Sequence, residues 1–148
     1  MGMGPRHRAR IAALQALFEA DTSQHGAREA LGRIVASQRL GAEPAAFAKE
    51  LIEGVLAQQD QLDRAIAEAA PAWPVEQLPP VDRNILRLAL WEMLGDNGTP
   101  VRAVINEAVE LAKSFGSDSS SKFVNGVLGA IERKRSELRL NQPAAEGR

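Results

Sequence analysis

From Val101 to Phe115 the apolar residues return every three or four positions: Val101, Val104, Ile105, Ala108, Val109, Ala112 and Phe115. That period puts them on one face of an amphipathic helix. Pro100 suits the helix start, where the first amides have no internal partner to lose. Lys113 falls in the last turn, where a cation suits the helix dipole, and Gly116 follows as a C-cap. Ser117, Asp118 and Ser119 are placed to cap a second helix, with Val124, Val127, Leu128 and Ile131 inward.

The same period predicts helices earlier in the chain. One runs from Arg6 to about Ala20 with Ile11, Leu14, Leu17 and Phe18 inward, and another from Ala27 to about Gln38 with Leu31, Ile34 and Val35 inside. A longer one follows from about Ala45 to Ala70, striped by Phe47, Leu51, Val55, Leu62 and Ile66. Pro71, Pro74, Pro79 and Pro80 make Ala70 to Val81 a joint, with Trp73 placed to pack across it. A further helix from Asp82 to Leu94 opens with Asp82 at the cap or in the first turn. No segment alternates with a period of two. The expectation is an all-α, compact bundle of about seven helices in a single domain spanning 1–148, with an N-terminal half near 6–70 and a C-terminal half near 80–135. Met1 to Pro5 and the tail 136–148 are expected to be disordered.

Composition supports helices. Aromatic residues are only 4% of the 148, so the core is built from Ala, Leu, Ile and Val, and alanine is the best helix former. No apolar run approaches the roughly 20 residues that span a bilayer, and no secretory signal pattern is read at the start. With no cysteine there is neither a disulfide framework nor a thiolate metal site. The expectation is a soluble cytoplasmic protein.

The net charge of −1 conceals an uneven distribution. Arg6, Arg8 and Arg10 meet no acidic residue before Glu19, and Arg133, Lys134, Arg135, Arg139 and Arg148 give the C-terminal stretch a basic balance. Local positive charge can bind a polyanion whatever the whole-chain sum. Arg6 and Arg10 share one side of their helix, and Arg8 lines up with Gln15. Guanidinium groups bind phosphates bidentately and stack on bases, so the patch suits nucleic acid; a solvated helix start is the alternative. Phe18 fits the core stripe. Lys122, Phe123 and Asn125 open the last helix, where free amides favour an anion, or simply form a capped helix start with one peripheral core ring. Asn106 and Glu107 lie off the inward stripe and either orient helix packing or face water.

Catalysis has little to build on. His7 and His25 are not spaced with carboxylates as a metal pair, and neither a Walker loop nor a dinucleotide fingerprint is present. Glu107 and Glu110 are three apart on an outer face, as solvated charges usually are. No enzyme and no cofactor are expected.

INEAVELAKSFG, closely followed by KFVNGVL, resembles the C-terminal signature of the NusB family of bacterial transcription antitermination factors. DRNILRLALWEM resembles the family's preceding helix and RHRARIAALQALFEAD its arginine-bearing first helix, so the likeness covers Arg6 to Ile131 in the family's order. The resemblance implies boxA-like single-stranded RNA bound by Arg6, Arg8, Arg10 and Gln15. It adds an aromatic near the RNA at Phe18, where relatives commonly carry tyrosine, and the elbow residues Lys122, Phe123 and Asn125. Relatives often place an acidic residue where Ser119 stands. It further implies docking of the small-subunit ribosomal protein NusE through Asp82, Arg87, Trp91 and Glu92. Other Nus factors and RNA polymerase are then the wider partners, in the transcription of ribosomal RNA operons. On this reading Arg8→Ala with Arg10→Ala loses RNA affinity without unfolding the bundle. Two other classes stay open. One is an RNA-binding module serving a separate RNA methyltransferase. The other is a homodimeric, self-associating helical protein of structural or regulatory role, without autonomous RNA binding.

Overall fold

The computed structural model describes residues 4–95 and 98–135. Six α-helices follow one another: α1 (Pro5–Thr22), α2 (Ala27–Ser37), α3 (Ala42–Ala69), α4 (Pro80–Leu94), α5 (Val101–Phe115) and α6 (Ser120–Arg133). A 3-10 turn, Val75–Gln77, sits in the proline-rich joint. The all-α expectation holds, with six helices and this turn among the described residues, close to the seven or so expected. The expected disorder at Met1–Met3 and in the tail 136–148 lies outside the described residues, as do Arg139 and Arg148. Gly4 and Pro5, placed by expectation in that disordered start, instead cap and open α1.

α4 is the axis of the bundle, packed against α1, α3, α5 and α6. Ten of its fifteen residues are buried, so it is wrapped on nearly every side rather than along one stripe. α1 in turn packs on α2 and α3, and α5 on α6. One buried cluster, from Ala9 and Leu14 through Ile52 and Leu86 to Leu128 and Ile131, runs through both halves. Its alanines, among them Ala9, Ala12, Ala13 and Ala16 on α1, let helix backbones approach closely where larger side chains would hold them apart.

The stripes of α3 are all buried as the pattern predicts: Phe47, Leu51, Val55, Leu62 and Ile66. The helix breaks its regularity at Gln58 (φ −123°, ψ 22°), and the indole of Trp91 lies directly on Gly54, one turn earlier. A β-carbon at position 54 would fall 2.1–2.4 Å from the ring, so glycine there makes room for the indole. Two aromatic expectations are corrected. By period Phe18 and Phe115 fall on inward faces, but they are 39% and 37% exposed, because each ends its stripe at the same open edge of the bundle. Trp73, 58% exposed, packs from the joint onto Phe123 of α6, edge to face at 6.5 Å. Among the described residues no helix is long and apolar enough to cross a membrane.

Candidate nucleic-acid interface

α1 begins with Gly4 at the N-cap and Pro5 at the first helical position, with no side-chain cap and no acidic residue in the first turn. Arg6, His7 and Arg8 therefore crowd onto the positive end of the helix dipole, an arrangement the helix itself disfavours. Arg6 stays exposed, its guanidinium 4.1 Å from the ring centre of Phe47 on α3. Arg8 is half-buried and makes no side-chain hydrogen bond or ion pair with any described residue. Together they form a cationic edge.

Arg10 does not belong to that edge. It is 6% exposed and grips Glu92 of α4 with two bonds, Nε to Oε2 and Nη2 to Oε1, both 2.8 Å. Its Nη1 reaches Glu107 of α5 at 3.5 Å. Burial works against its charge, but the bonds to Glu92 and the nearby carboxylates outweigh that and raise its pKa further. The same Glu107 oxygen lies 2.9 Å from His7 Nδ1. The guanidinium is thus engaged inside the protein, where it joins α1 to α4 and α5.

Two open depressions flank this region. The first, about 430 Å³, is an apolar groove between α1, α2, α4 and the end of α5. Phe18 and Phe115 line it with Leu14, Ile34 and Val81, and Gln15 stands at its margin, accepting a bond from Gln38 at 2.8 Å. The second, about 510 Å³, is polar and lies between α5 and α6, lined by Asn106, Lys113, Lys122 and Asn125 among others. Lys122 and Asn125 are exposed there, while Phe123 turns to the opposite side, half-buried beside Trp73. The structure thus separates the three elbow candidates instead of gathering them.

The elbow itself is held from α4. Ser119 occupies the N-cap of α6 but makes no side-chain cap bond. Instead the buried Ser120 hydroxyl accepts the Ser117 amide at 2.9 Å and donates to Asp82 at 2.7 Å. A side chain at Gly116 would collide with Ser120 at 2.5 Å, which explains the glycine. Asp82 is 5% exposed and serves this bond rather than an open surface. Arg87, equally buried, forks onto Asp63 at 2.8 and 3.0 Å and reaches Asn84 and Asp21. Glu92 is taken by Arg10, and Trp91 packs on Gly54. In this structure Asp82, Arg87 and Glu92 are buried and fasten α4 to its neighbours, while Trp91 is half-buried against Gly54. An amphipathic pattern marks which residues are polar; it does not say that an opposite charge waits across the next helix.

Sequence reasoning also missed Phe47 and Glu107 as neighbours of the arginine edge. By pattern Phe47 is a core ring like any other, and Glu107 suits helix orientation or water equally well. No local signal pairs His7 with a residue one hundred positions away.

Fold and edge together define a small helical protein that presents cationic and amide side chains beside exposed aromatic rings. The NusB family profile matches residues 7–133. The chain is 55% identical over 128 residues to the transcription antitermination protein NusB of Chloroflexus aggregans, covering 85% of each. NusB of T. maritima superposes with a TM-score of 0.80 at 30% identity, over 95% of this chain and 96% of that one. A crystal structure of the antitermination factors NusB and NusE in complex with dsRNA gives a TM-score of 0.80 at 26% identity, over 89% and 98% of the two chains. The chain belongs to the NusB family.

Proposed function

We propose that this protein is a transcription antitermination factor that binds boxA-like RNA together with the ribosomal protein NusE. Bound there, it acts on RNA polymerase elongation complexes in the cytoplasm, alongside other Nus factors. The observation that carries the reading is the unpaired Arg8 beside exposed Arg6 at the start of α1, in a chain whose relatives are named for antitermination. Phosphate oxygens would satisfy charges that the fold leaves open, while Arg10 keeps the helix in place behind them. Lys122 and Asn125, with the rings of Phe18 and Phe115, extend the same reading to the elbow and the apolar groove.

No catalytic step is assigned. His7 and His25 each face a glutamate, at 2.9 and 2.5 Å, and among the described residues no group of three or more His, Asp and Glu could hold a metal ion. The test is a titration of labelled boxA-like RNA, single-stranded and duplex, with and without NusE, at two salt concentrations. Binding that weakens with salt and tightens with NusE supports the reading. A protein that binds neither RNA form under any of these conditions, and sediments as a dimer, would favour the self-associating alternative.

A further inference from the structure

We infer that Glu107 is a positioning residue for RNA binding: from α5 it braces the first turns of α1, which carry Arg6 and Arg8. The inference rests on the RNA-binding reading above.

The start of α1 cannot hold itself. It has no side-chain cap and no acid in its first turn, and three basic or titratable side chains sit in succession at the positive end of its dipole. Gly4 supplies the carbonyl for the first helical bond, from Arg8 N at 3.1 Å, and glycine adds backbone freedom at that end. A terminus built this way frays unless something outside the helix fixes it. Two contacts do so. The Phe47 ring holds Arg6 at 4.1 Å and also faces Arg10 at 5.2 Å. Glu107 does the rest, because one of its oxygens meets His7 at 2.9 Å and Arg10 at 3.5 Å. His7 and Arg10 are three apart and lie along one side of the helix, so a single carboxylate spans its first two turns. That fixes the rotation of α1 about its own axis. Arg6 and Arg8, on either side of His7, are then turned away from α5 instead of sampling many directions.

This role makes a prediction opposite in sign to simple charge. Glu107 is 29% exposed and lies near the proposed path of a polyanion, so on Coulomb grounds its removal should tighten RNA binding. As a brace, its removal loosens binding, because only the fraction of molecules with an ordered first turn is competent. If that fraction falls to about one fifth, affinity falls about fivefold. The number of phosphate contacts is unchanged, so the salt dependence keeps its slope, whereas loss of one contacting arginine lowers the slope by about one.

The experiment uses the full chain as wild type, Glu107→Gln and Glu107→Ala, titrated with labelled boxA-like RNA over a series of salt concentrations. Amide hydrogen exchange at Arg8 and Ala9 is followed in parallel. The expected result for Glu107→Gln is weaker binding at an unchanged salt slope, with faster exchange at α1's start and an unfolding midpoint close to wild type. Glu107→Gln preserves size but removes the negative charge that draws His7 and Arg10 to one oxygen, so it tests the brace even where the alanine variant fails to fold. A folded Glu107→Gln protein that binds as tightly as wild type, or more tightly, would overturn the inference alone. A wild-type chain that binds no RNA would overturn the RNA-binding reading and this inference with it.

Discussion

Arg8 and Arg10 lie two positions apart at the start of α1, and Arg83 and Arg87 lie one turn apart on α4. On α4 both arginines are paired: Arg83 with Asp21 at 2.9 Å, Arg87 with Asp63 and Asp21. On α1 only the second is. The difference follows from what faces each helix. α4 lies at the centre, so every polar group on it must find a partner or bear the cost of desolvation. α1 lies at the edge: His7 in its first turn meets Glu107 of α5, but Arg6 and Arg8 on either side of it pair with no carboxylate among the described residues. Identical residue types become fasteners in one place and an open cationic edge in the other. Charge at a helix surface thus acquires its role from the facing helix, not from its own spacing.

The largest expected effect comes from breaking the buried pair. Arg10→Ala strips two 2.8 Å bonds from the buried Glu92 and should cost about 3–5 kcal/mol, read as a lower urea midpoint at unchanged m. The family reading treats Arg8 and Arg10 as one RNA patch whose joint loss spares the fold. The geometry predicts instead that Arg8→Ala shifts stability by less than about 0.5 kcal/mol. Equal stability of the two single variants would erase the contrast between edge and interior.

The Ser120→Ala change sharpens the inward character of α4. It removes the hydroxyl that donates to Asp82 and leaves a buried carboxylate short of a partner, a loss of about 1–3 kcal/mol by thermal or chemical unfolding. Unaltered stability would return Asp82 to the list of residues available to a partner.

The smallest effect is a matter of pH. Partial burial alone would raise the Asp21 carboxyl, but hydrogen bonds from Arg83 and Asn84, and the charges of Arg83 and Arg87, outweigh it and hold it below the usual carboxylate range. A carboxylate depressed in the folded state adds stability that is complete above its unfolded pKa and is lost as the pH falls through its folded one. Asp21→Asn should therefore lower the melting temperature at neutral pH and flatten the acid limb below about pH 4. An acid limb as steep as that of wild type would assign the loss to other carboxylates.

Much of the fold was legible because it rests on local periodicity. The core stripes of α3, α5 and α6 could be counted along the chain, and prolines and glycines marked their ends. Leu111, seven residues after Val104, falls on the same side of α5 and is buried with that stripe. The candidate site was less legible. Arg10 and Glu92 are 82 positions apart, and nothing near either one announces the other. Phe18 and Phe115 fit their stripes by period, but helix ends run past the core, and period is blind to where the neighbours stop. The family likeness supplied the kind of partner; only the packing separates Arg8 from Arg10.

The most direct test of that separation is the salt dependence of RNA binding for wild type, Arg8→Ala and the Arg6→Ala/Arg8→Ala double variant. With both residues on phosphates, the slope of log affinity against log salt becomes shallower by about one for the single change and about two for the double, in proteins that unfold as wild type does. An unchanged slope and affinity in the folded double variant would contradict the account and move the RNA-contacting surface away from the start of α1.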